Sequence, residues 1–116
     1  MTEIKKFLLQ IREREGEKQL HMADRLGVTR TLLSFVELGH RNMSEQLFNN
    51  IVKEYKLSEE EAEEMKLAEL ASRELMYINM KDLNKEKRKF LASLYVNIDK
   101  LPTTKVRKMK EILEEE

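Results

Sequence analysis

Three glycines and one proline are the only strong backbone breakers in 116 positions. They stand far apart, at Gly16, Gly27, Gly39 and Pro102. Between them the apolar residues recur at three- and four-residue steps, and runs of β-branched residues are absent. Such a pattern places apolar side chains on one side of a helix and lacks the alternation that a half-buried strand requires. The fold class predicted is all-α.

The punctuation also predicts where the helices start and stop. A first helix runs from Thr2 to about Glu15, with Ile4, Leu8 and Ile11 inward, and ends at Gly16, where a left-handed residue is cheap. A short helix over about Gln19 to Leu26 buries Met22, Ala23 and Leu26. Gly27 permits a tight turn, Val28 returns to the core and Thr29 is placed to cap a third helix. That helix begins Arg30-Thr31-Leu32, buries Leu33 and Val36, and stops at Gly39. After the loop His40–Met43, Ser44 caps a fourth helix that buries Leu47, Ile51 and Val52. Ser58 and Glu61 form a capping box for a fifth, to about Leu75, with Ala62, Met65, Leu67, Ala68 and Ala71 inward. Periodicity lapses over 76–82, which predicts a linker and two regions, 1–76 and 77–116. In the second region Asn84 caps a helix, Pro102 breaks it, and Thr103 or Thr104 starts the last one.

Composition excludes several classes of function. With no cysteine there are no disulfides and no thiolate metal sites. His21 and His40 are the only histidines and no carboxylate stands at ligand spacing, so neither metal nor cofactor is expected. The sequence has no nucleophile motif, no phosphate-binding glycine loop and no paired acid–base signature, so an enzyme is not expected. The opening residues MTEIKKFLLQIRERE mix charge with apolar residues. They lack the continuous apolar run of a signal peptide or membrane span, and a cytoplasmic protein without membrane contact is the expectation. The net charge of zero is unevenly spread: +2 over residues 1–56, −5 over 57–80 and +3 over 81–116. Binding to phosphates depends on the groups that face them, so a neutral total leaves a local basic face open.

The stretch QLHMADRLGVTRTLLSFVE, Gln19 to Glu37, carries the most specific information. Ala23 allows two helices to cross closely, Gly27 turns the chain between them, and Val28, Leu33 and Val36 pin the second helix to the first. Thr29, Arg30, Thr31 and, one turn on, Phe35 are left outward. A helix with its leading residues exposed in this way suits the major groove of DNA.

This stretch resembles the Xre-like, phage-repressor helix-turn-helix family over about residues 4–57. The resemblance rests on Gln19, Ala23, Leu26, Gly27, Val28, Leu33, Val36, Glu37, Gly39, Arg41 and Asn42, in order and without gaps. It implies a five-helix DNA-binding bundle, here followed by a C-terminal helical hairpin. It further implies that Gln19 contacts phosphate and supports the recognition helix, and that Thr29, Arg30, Thr31 and Phe35 face DNA. Arg41 and Asn42 would hold phosphate, and Arg12 would bridge Glu37. The chain departs from the family at Lys18, where Thr or Ser usually caps, and at the normally polar positions of Leu20 and Phe35. Phe35 suits either a thymine methyl or a protein-binding patch.

The expected function is therefore that of a dimeric repressor on double-stranded operator DNA, of a phage, mobile-element or toxin–antitoxin operon. The alternative is a protein-interaction module of the same fold, binding a partner such as an antirepressor or toxin in place of DNA. Apolar stripes in the tail predict a homodimer contact. They comprise Phe90, Leu91, Leu94, Tyr95 and Ile98 on one helix and Val106, Met109, Ile112 and Leu113 on the other. The competing expectation is that the tail folds back on its own bundle.

Overall fold

The computed structural model describes residues 1–115. Seven α-helices and one 3-10 turn account for the regular structure, with no strand among the described residues. They divide into two units, Met1–Met76 and a second that begins at Tyr77.

The first unit holds α1 (Glu3–Glu15), α2 (Gln19–Leu26), α3 (Arg30–Glu37), α4 (Glu45–Glu54) and α5 (Glu59–Ser72). Four of these helices begin on a hydroxyl that accepts a bond from an otherwise unpaired N–H of the first turn. Thr2 serves Lys5 at 3.1 Å, Thr29 serves Leu32 at 3.0 Å, Ser44 serves Leu47 at 3.1 Å and Ser58 serves Glu61 at 3.1 Å. Glu61 returns the bond, its Oε1 accepting from the Ser58 N–H at 3.1 Å. The exception is α2, where Lys18 provides no side-chain cap and His21 Nδ1 accepts weakly from the Lys18 N–H at 3.4 Å.

Ile4, Leu8 and Ile11 of α1 meet Met22, Ala23 and Leu26 of α2, Leu33 and Val36 of α3, Leu47 and Ile51 of α4, and Met65 of α5 in one core. Helix α1 lies against α5 and α3, and α2 against α3 and α4. A polar clamp joins the α1–α2 loop, α2 and the end of α4. The Tyr55 hydroxyl and Arg25 Nη1 each donate to the Glu17 carboxylate at 2.6 Å. The Arg25 guanidinium also lies 4.2 Å from the Tyr55 ring centroid. Burial pushes the Glu17 carboxyl up, but the bonds from Tyr55 and Arg25 outweigh it and hold the group below the ordinary carboxylate range.

On α5 the structure corrects the sequence expectation twice. The helix stops at Ser72, short of Leu75. Leu67 is 61% exposed and Ala71 is also outward, while Met65 and Glu69 are buried. Positions 67 and 71 each stand two residues, about 200° of helix, beyond the buried 65 and 69, so one stripe cannot hold both sets. At its end the helix is tied to a distant part of the unit. Ser72 Oγ accepts from the Ile4 N–H at 3.0 Å and donates to the Ala68 carbonyl at 2.6 Å, tying the end of α5 to the start of α1. Arg73 then turns extended, and its Nε lies 2.7 and 2.9 Å from the two Glu69 carboxylate oxygens, so the buried carboxylate is paired.

The second unit holds α6 (Lys85–Asn97), a 3-10 turn (Ile98–Lys100) and α7 (Thr103–Glu114). Asn84 caps α6 by accepting from the Lys87 N–H at 2.9 Å, and Pro102 precedes α7. None of its described residues is buried. Leu91, Leu94 and Leu101 are half-buried, whereas Tyr95, Ile112 and Leu113 are largely in the open.

Gly39, just beyond α3, shows how closely the first unit is fitted. Its φ is +80°, and a Cβ there would stand 2.1 Å from the Ser72 carbonyl oxygen. Gly16, at φ +68°, has open space around the same position. Gly16→Ala should therefore cost only the left-handed backbone penalty, about 1–2 kcal/mol. Gly39→Ala should cost a further ~1–3 kcal/mol because backbone must move. Urea midpoints of the two variants check this, and equal midpoints would contradict the packing described.

Candidate nucleic-acid interface

A buried polar chain runs from the core to the outer face of α3. Arg12, 4% exposed, and Glu37, 1% exposed, are paired through Nη1 and Oε1 at 2.6 Å. The same Arg12 nitrogen lies 3.5 Å from Met22 Sδ. The second Glu37 oxygen accepts from Gln19 Nε2, and the Thr2 hydroxyl donates to the Glu37 backbone carbonyl. Gln19 Oε1 in turn accepts from Arg30 Nε at 3.2 Å. Three helices thus contribute one relay, Arg12–Glu37–Gln19–Arg30, whose inner end is anchored in the core and whose outer end is exposed.

Gln19, Arg30, Thr31, Ser34 and Phe35 line a shallow concavity on this face. Thr31 and Phe35 are four residues apart and share a side of α3. Phe35 is 47% exposed and lies edge-on to His40, with ring centroids 6.5 Å apart. Beyond α3 the Phe35 carbonyl accepts from the His40 N–H at 3.0 Å and the Arg41 N–H at 3.3 Å, which fastens the loop to the helix end. Arg41 and Asn42 are exposed there, with no side-chain bond among the described residues drawing either towards Arg30. Thr29 is exposed but its hydroxyl is engaged as the α3 cap. His40 Nδ1 lies 3.3 Å from Glu74.

The arginines of the first unit, unlike its lysines, divide by partner. Of its six arginines, Arg12, Arg14, Arg25 and Arg73 each meet a carboxylate. Among the described residues, Arg30 and Arg41 meet none. One stands in the first turn of α3 and the other just past its end. Both are exposed cations, and Arg30 shares its concavity with Thr31 and the Phe35 ring. Such a surface can receive an anionic, hydrogen-bonding partner with an apolar feature. No group of three or more metal-ligating side chains comes together among the described residues. No described helix is long and apolar enough to cross a membrane.

Sequence reasoning missed two arrangements. Glu69–Arg73 had a signal in its four-residue spacing, carboxylate first. The Glu17–Arg25–Tyr55 clamp had none, because its members come from three separate elements. No protein-family model, curated protein or solved structure matches this chain.

Glu37→Ala would strand the Arg12 guanidinium in the core and release Gln19. Removing one partner of a buried pair costs about 3–5 kcal/mol. The urea midpoint should fall accordingly, with little change in slope. A midpoint equal to that of the native protein would refute the central role given to this pair.

Proposed function

We propose that this protein is a sequence-specific DNA-binding transcriptional regulator of the helix-turn-helix, phage-repressor type. On this reading Met1–Met76 is the five-helix DNA-binding bundle, α3 enters the major groove, and the region from Tyr77 is a helical hairpin that pairs two copies. The observation that carries it is the position of the two arginines left without carboxylates. Arg30 opens α3 where side chains reach base edges, and Arg41 follows its end where a phosphate runs past. The most economical role is a dimeric repressor of a phage, mobile-element or toxin–antitoxin operon.

Operator sites selected from random DNA test this reading. Arg30→Ala should weaken the selected site by about 1–3 kcal/mol and relax preference at one base pair per half-site. Arg41→Ala should weaken selected and random DNA alike and flatten the salt dependence by about one phosphate contact. Identical base preferences in the two variants would refute the roles assigned.

A second reading has its own observation. Leu20, Phe35 and Leu38 are each more than 40% exposed, and they suit a protein partner on α2 and α3. Salt separates the two readings: operator affinity falls steeply with salt, whereas an apolar protein contact hardly responds.

Assembly follows from the second unit. One helix covers too few base pairs for specificity in a genome, so two half-sites are needed. A unit without a buried residue, with Phe90, Tyr95, Ile112 and Leu113 at least 60% exposed, has apolar surface to cover. Sedimentation should show the full chain as a dimer and a fragment ending at residue 80 as a monomer. A monomeric full chain at tens of micromolar, about the working range for weak pairs, or a dimeric fragment, would refute the assignment of the contact.

A further inference from the structure

We infer that the concavity on α3 reads a thymine through its C5-methyl group, with Phe35 as the residue that discriminates it, close to a guanine read by Arg30. The inference rests on the DNA-binding reading above and specifies what one part of that surface recognises. Two walls of different chemistry meet there. Gln19 Oε1 takes up the Arg30 Nε–H at 3.2 Å. The two terminal Arg30 nitrogens have no partner among the described residues, and such a pair matches the O6 and N7 acceptors of guanine. The other wall is the Phe35 ring with Thr31 one turn before it, both in the lining of the same concavity.

An aromatic ring in this position meets few complementary groups on DNA. The major-groove edges of guanine, adenine and cytosine present hydrogen-bond donors and acceptors. Thymine alone adds a methyl group. The ring lies edge-on to His40, at 73° and 6.5 Å between centroids, so one edge is covered and the rest is open to a ligand. Arg30 and Phe35 are five residues apart, a rise of about 7.5 Å along the helix. With base pairs about 3.4 Å apart, the thymine falls within about two base pairs of the guanine. Replacing Phe35 with a smaller residue leaves the phosphate contacts and the guanine contact in place and removes the response to the methyl.

The test uses the full-length protein and its selected operator, in which each thymine is replaced singly by uracil. That change deletes the methyl and keeps the pairing edge. At one thymine per half-site, within two base pairs of the guanine whose preference Arg30→Ala relaxes, uracil should weaken binding by about fourfold, the worth of one buried methyl group. Phe35→Ala should bind thymine and uracil operators alike at that position, while Arg30→Ala still separates them. Equal affinity of native protein for every uracil operator overturns the inference, as does a Phe35→Ala variant that keeps the discrimination. Should Phe35→Ala fail to fold, Phe35→Leu serves, with a smaller ratio expected, and the native thymine–uracil comparison decides regardless. If no sequence is selected over random DNA, the DNA-binding reading itself fails and this inference fails with it. Selection of a site with no uracil effect defeats this inference alone.

Discussion

The first unit is organised around one ion pair. Glu37 closes α3 from inside the core, and Arg12 reaches it from the last turn of α1 at 2.6 Å. Neither charge is tolerable there alone, since an unpaired ion in a low-dielectric interior carries a penalty of several kcal/mol, on the order of the stability of a small domain. Each group therefore constrains the other's helix. The remaining carboxylate oxygen continues the constraint outward by holding Gln19, and Gln19 holds Arg30. The conformation of an exposed side chain on α3 thus has its origin in a buried pair.

Around that pair the unit is closed by contacts between chain segments far apart in sequence. Ser72 meets the Ile4 N–H, and its carbonyl packs on Gly39 with no room for a side chain. The Thr2 hydroxyl, which caps α1, also donates to the Glu37 carbonyl. The ends of α1, α3 and α5 are consequently joined at one place. The Glu17–Arg25–Tyr55 clamp joins the α1–α2 loop to the end of α4. A helix of eight residues, such as α2 or α3, is too short to be stable in isolation, and these junctions supply what its own hydrogen bonds cannot.

The second unit presents the contrasting case. Its helices are well started, by Asn84 and after Pro102, yet neither buries a side chain. Local signals suffice to begin a helix and do not give it a core. Its exposed apolar residues are the physical basis for proposing that two copies pair there, just as the two unpaired arginines are the basis for proposing that the first unit meets DNA.

Local chemistry was legible in the sequence. The caps at Thr29, Ser44, Ser58 and Asn84, the turns at Gly16 and Gly27, and the inward faces of α1 to α4 all depend on residues within one or two turns of each other. The end of α4 was less visible, because Lys56 adopts φ +50° where a glycine would ordinarily signal it. The pairing of Arg12 with Glu37 was an expectation that no spacing or periodicity carried. What tertiary structure alone decided depends on groups distant along the chain. Helix α5 ends at Ser72, where it meets Ile4, and Leu67 faces outward because the buried stripe follows Met65 and Glu69. Arg30 and Arg41 are set apart from four other arginines only once the carboxylates have found their partners. Periodicity and capping are properties of neighbours, so a sequence displays them; which charges remain unpaired is known only after the helices have packed.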